Sequence, residues 1–177
     1  ADDAIAVSTI FLNTFLAGAG GVMAAATVTR LNFGKTDVVQ MLNGCIGGLV
    51  AITAEPLMPS PLAAILIGAV GGIIVVYGTK LLFTLKIDDV VGAIPAHLFA
   101  GIWGTLAVPI TNPDTSFGTQ LLGVISINVF VFVVALIVWA IMKSTIGIRL
   151  SKEAETKGTD VTDCLLYTSD AADDPTC

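Results

Sequence analysis

The chain has 177 residues, of which 55% are hydrophobic and 12% charged, with a formal net charge of -6 and a mean hydropathy of +0.90. A soluble domain carries about 25% charged residues. The charges here (8 Lys+Arg and 14 Asp+Glu) bound five charge-free runs, 4–29, 38–54, 56–79, 90–113 and 115–142, which exclude a soluble enzyme, a nucleic-acid module and a disulfide scaffold.

A helix rises about 1.5 Å per residue, so a hydrocarbon core about 30 Å thick takes roughly 20 apolar residues. The first run predicts a membrane span over 7–29, closed by Arg30. The second predicts a span over 37–53, with Asp37 as its N-cap. The third starts at Pro61, suited to a first helical turn, and runs to 82. The fourth is expected over 90–108 and closed by Pro109, and the fifth over 119–146. Short connectors make successive helices antiparallel neighbours. The expectation is an all-α membrane protein of five transmembrane helices. A membrane domain fills 1–150, a cytoplasmic tail starts over 151–164, and 165–177 looks non-native or disordered.

With five spans the connectors alternate sides. One side receives all the basic residues: Arg30, Lys35, Lys80, Lys86, Lys143, Arg149, Lys152 and Lys157. The other holds Asp2, Asp3, Glu55 and Asp114. The positive-inside rule then puts the N-terminus outside and the C-terminus in the cytoplasm, in a multi-pass cell-membrane protein. The acidic net charge sits mostly after Glu153 and predicts no nucleic-acid partner. Cys45, Cys164 and Cys177 form no framework, and one His without a C-x-x-C gives no metal-ligand spacing, so neither metal nor cofactor is expected. A multi-span chain that begins inside a charged loop suggests a missing front.

Small residues mark helix contacts. Gly44 and Gly48, and Gly68 and Gly72, have the spacing that lets backbones approach closely. Gly92, Ala96, Ala100 and Gly104 form a stripe at every fourth position. The fifth run has no Gly between Gly123 and Gly147, and reads as a long, tilted, largely peripheral helix facing lipid on one side.

The single His, His97, lies near the middle of the fourth run. A charge at membrane depth is costly, so the imidazole is expected to be neutral, with one ring nitrogen donating and one accepting. It is either a buried His bonded to a neighbour or a pore-lining group that hydrogen-bonds a small polar solute. A bis-His haem site would need a second His, and a proton relay would need intramembrane carboxylates. Pro95 inside the helix is expected to free a carbonyl near 91 and kink the axis. Asp88 and Asp89 are read as N-terminal caps. Asn112-Pro113-Asp114 is read as a turn.

The stretch Lys86-Ile87-Asp88-Asp89, Gly92-Ala93-Ile94-Pro95-Ala96-His97 and Ala100-Gly101-Ile102-Trp103-Gly104-Thr105 closely resembles a signature of the ammonium transporter family (Amt/Mep/Rh). Asn43-Gly44 with Gly47–Thr53, the segment Gly147-Ile148-Arg149-Leu150 with Glu155 to Val161, and more weakly Phe11-Leu12-Asn13-Thr14, are similar to other parts of that family. The resemblance covers about 4–164 and implies the last five of eleven spans in an inverted-repeat fold. It implies ammonium/ammonia transport, no enzymatic activity, and a homotrimer with one pore per subunit. It also implies a possible cytosolic nitrogen-signalling regulator of the PII type. His97 matches the second of two stacked pore histidines. Asp88, Asp89, Pro95, Gly101, Trp103 and Gly104 match the signature and are given structural roles. The first His, the outer site and the Phe gate of the family have no counterpart in this chain, so the fragment is expected to be inactive alone. Past Val161 the chain reads Thr162-Asp163-Cys164 and leaves the family pattern. The alternatives are an ammonium sensor on the same fold, and a membrane structural subunit whose His is merely buried.

Overall fold

A computed structural model describes residues 2–58 and 60–158; the tail expected to be foreign, 165–177, lies outside the described residues. All the described secondary structure is helical: α1 (Asp2–Phe33), α2 (Val38–Ile52), α3 (Pro61–Thr84), a wide π turn (Ile94–Phe99) running into α4 (Ala100–Thr111), α5 (Phe117–Thr145) and α6 (Lys152–Lys157). Among the described residues, four helices are long and apolar enough to cross a membrane: Asp2–Phe33, Pro61–Thr84, Ile94–Thr111 and Phe117–Thr145. α2 has 15 residues, about 22 Å at 1.5 Å per residue, and is shorter than a full span. The chain divides into two compact units, 1–127 and 128–177.

In the first unit α1, α2 and α3 pack on one another through small residues. The buried face of α1 is Asn13, Ala17, Gly18, Gly20, Gly21, Ala25 and Thr29. Lipid offers no hydrophobic drive for helix association, so van der Waals contact between close backbones has to supply it. Both predicted glycine pairs do this against the same helix. Gly48 and Gly68 lie against the Ala17 backbone from α2 and α3, and Gly44 and Gly72 lie against Gly21. The fourth stripe is also buried: Ala96 is 1% exposed, Ala100 0%, and Gly92 and Gly104 are buried.

Local signals set the helix ends. The Asp37 carboxylate accepts from the Gln40 N–H at 3.1 Å and opens α2 as expected. Ser60 caps α3, its hydroxyl accepting from Ala63 N–H at 3.3 Å, with Pro61 in the first turn. The connector between α2 and α3 is tied down by Asn13, which is fully buried. Its amide donates to the carbonyls of Pro56 (3.0 Å) and Met58 (2.9 Å). Replacing Asn13 with Leu leaves two carbonyls without their donor, and each unsatisfied buried group costs about 1–3 kcal/mol. Asn13→Leu in the full-length parent should therefore lower the thermal midpoint in detergent clearly, whereas an unchanged midpoint would show that this tie carries no stability.

Both ends of the fourth span need correction. Helical structure begins at Ala93, not at 90, because Gly92 adopts φ +75°, a left-handed turn that cannot continue a helix. Pro109 does not close the helix but sits inside it, and α4 runs on to Thr111. None of the residues of α5 is buried among the described residues.

In the second unit, the end of α5 leads to a short α6 capped by Ser151, whose hydroxyl accepts from Ala154 N–H at 3.2 Å. Arg149 Nε donates to Glu155 at 2.9 Å, and this ion pair holds the guanidinium above its ordinary pKa.

Candidate functional site

The segment leading into the fourth helix is built by side chains that replace missing backbone partners. The N–H groups at a helix start have no intrahelical acceptor. Here the Asp89 carboxylate accepts both free ones, from Ala93 at 2.9 Å and Ile94 at 2.9 Å. Pro95 follows in the first turn, where its missing N–H leaves no gap. The expected mid-helix kink from Pro95 is therefore corrected: Pro95 lies in the first turn of the helix. The first helical backbone bond runs from Ala96 N–H to Gly92 carbonyl at 3.2 Å. The turn is then one residue wider than an α-helix, with Ala100 N–H reaching back to the Pro95 carbonyl. Such single wide turns cluster at functional sites.

The carbonyl of Val91 lies outside the helix, and Asn43 of α2 donates its side-chain amide to it at 2.8 Å. Sequence reasoning gave Asn43 no role beyond the family resemblance. Its only signal was an amide inside an otherwise apolar run, and its partner is 48 residues away.

Pro95 and Phe99 turn inward onto α3, where a Cβ at Gly78 would lie 2.9 Å from Pro95 and 2.8 Å from Phe99. Residues two apart on a helix point to nearly opposite sides. With Pro95 buried, His97 points outward and is exposed, beside the 40% exposed Leu98. The imidazole makes no hydrogen bond among the described residues.

The other signature residues are structural in placement. Trp103 Nε1 donates to the Ile67 carbonyl of α3 at 3.0 Å. Gly104 lies against the Ala51 backbone of α2, and Gly101 leaves ordinary contact distance, 3.6 Å, to Val50. Asp88 does not cap the helix; it is exposed and lines an open cleft with Thr79, Leu82, Phe83, Ile87 and Asp89. Capping is thus divided unequally between the two aspartates. Asp89→Ala should cost about 0.5–2 kcal/mol of helix stability, and Asp88→Ala should stay within about 0.5 kcal/mol. Thermal denaturation of the two variants of the full-length parent checks that order; equal losses would contradict it. Among the described residues no group of three or more His, Cys, Asp or Glu side chains is placed to hold a metal.

A family model described as "Ammonium Transporter Family" matches residues 1–164. The chain is 40% identical over 176 residues to "Ammonium transporter Amt2" of Archaeoglobus fulgidus, covering 88% of this chain and 37% of that protein. It is 30% identical over 171 residues to "Ammonium transporter" of Bacillus subtilis, covering 86% and 42%. Among solved structures it is similar to a "Sensor Amt Protein", with a TM-score of 0.83, 29% identity, and coverage of 90% of this chain and 42% of that one. The chain spans about two fifths of the length of these relatives.

Proposed function

The chain belongs to the ammonium transporter family, and from that premise we propose that it forms one side of a pore that passes ammonium as ammonia, with His97 on the pore wall. The carrying observation is an imidazole that is exposed and unbonded at the wide turn of a membrane-length helix. Ammonium resembles potassium in size, so size alone separates them poorly. A narrow apolar lumen makes passage of a bare cation expensive. Neutral ammonia crosses more cheaply when an imidazole nitrogen replaces a hydrogen bond lost from water. This is a transport role and not a catalytic one. The whole protein would hold eleven spans, with the N-terminus of this segment outside and its C-terminus in the cytoplasm. It would assemble as a trimer and meet a PII-type regulator at its inner face. The distribution of basic residues supports that orientation. The test is methylammonium uptake by the full-length parent, wild type against His97→Ala. Uptake that depends on position 97 supports the reading, and indifference sinks it.

The likeness to a protein titled as a sensor favours a second reading, an ammonium sensor on the same fold. A full-length parent that binds ammonium, fails to transport it and changes the state of a fused signalling domain would meet that reading.

A further inference from the structure

We propose that Asn43 is a positioning residue for His97: its amide fixes the backbone ahead of the wide turn and so sets where the imidazole stands. This rests on the transport reading of His97 and deepens it. Because the imidazole makes no hydrogen bond among the described residues, its place is set through the backbone that carries it.

That backbone begins as a bracket of linked groups. Asp89 accepts from Ala93 and Ile94, and the Gly92 carbonyl accepts from Ala96. Asn43 ties the bracket to α2 through the Val91 carbonyl. Gly92 completes the fit in two ways. It is buried at φ +75°, and a Cβ there would lie 2.5 Å from Asn43 Nδ2. The amide therefore packs on the residue that turns the chain, five positions before His97. Without the donor, Val91 loses its partner and the bracket is no longer held to α2. The imidazole then keeps its chemistry and loses its location.

The discriminating variant is Asn43→Asp, which keeps the size and removes the donor. In the full-length parent it should lower methylammonium uptake about tenfold, the scale set by loss of one hydrogen bond. It should also weaken selectivity for ammonium over potassium. Asn43→Gln, which keeps a donor on a longer arm, should recover most of the uptake. In a His97→Ala background, Asn43→Asp should have little further effect, because it acts through the missing imidazole. A structural role would instead lower both backgrounds by the same factor, and that result would overturn the proposal. So would normal transport in Asn43→Asp, or its failure to assemble, which would assign the residue to assembly. A silent His97→Ala sinks the transport reading itself, whereas an active His97 with a silent or additive Asn43 sinks this inference alone.

Discussion

Replacing His97 with Ala in the full-length parent is expected to reduce methylammonium uptake at least tenfold, to reduce selectivity over potassium, or both, without loss of assembled protein. The two halves of that expectation come from one observation. The side chain is exposed and unbonded within its unit, so its removal leaves no cavity and no orphaned partner among the described residues. Stability changes at such positions usually stay within about 0.5 kcal/mol. Transport is different. A solute stripped of water in an apolar lumen loses hydrogen bonds worth about 1–3 kcal/mol each. A factor of ten in rate corresponds to about 1.4 kcal/mol, so one missing nitrogen accounts for the predicted loss. The structural-subunit alternative expects His97→Leu and His97→Phe to be as good as wild type. Normal uptake and selectivity in those variants would favour it.

What the sequence made legible was whatever depends on neighbours along the chain. The Asp37 cap, Pro61 in a first turn and the every-fourth-residue stripe from Gly92 to Gly104 all follow from periods and caps within one element. The start of the fourth helix was not legible from charge counting. The charge-free run opens at Val90, but Asp89 reaches forward to Ala93 and Ile94 and Gly92 turns the chain first. Charge counting therefore places Pro95 inside the helix, whereas it lies in the first turn. Pro109 reads as a stop in the sequence, although a helix can carry a proline where the lost N–H bond is tolerated. The amides of Asn13 and Asn43 were beyond reach for another reason. Their partners lie 43 to 48 residues away, and no local pattern encodes that pairing. For the site the division is similar. The sequence picked out His97 as the one ionisable group in its run, but only the inward packing of Pro95 on Gly78 shows which way the imidazole points.

The largest stability effect is expected at Gly68. Ala is a better helix former than Gly by about 1 kcal/mol, so at a loosely packed position Gly68→Ala would stabilise. Here the sign should reverse. An added Cβ would overlap the Ala17 carbonyl oxygen and sit 2.5 Å from its carbon and 2.6 Å from Cα. Those are backbone atoms, with no side-chain rotamer to relieve the clash. Gly48 of α2 lies against the same Ala17 carbonyl, so three helix backbones meet at this point. Overpacking a close-packed interior costs about 1–3 kcal/mol and occasionally more, and this site lacks the usual means of relaxation. Gly68→Ala should therefore lower the thermal midpoint of the full-length parent, and Gly68→Val should abolish the assembled species on size exclusion in detergent. Gly123→Ala is the matched comparison, because nothing lies within 4 Å of a Cβ there; it should be neutral or slightly stabilising. If Gly68→Ala stabilises as Gly123→Ala does, then α1 and α3 are not in backbone contact, and the glycine pairs are not what holds this helix packet together.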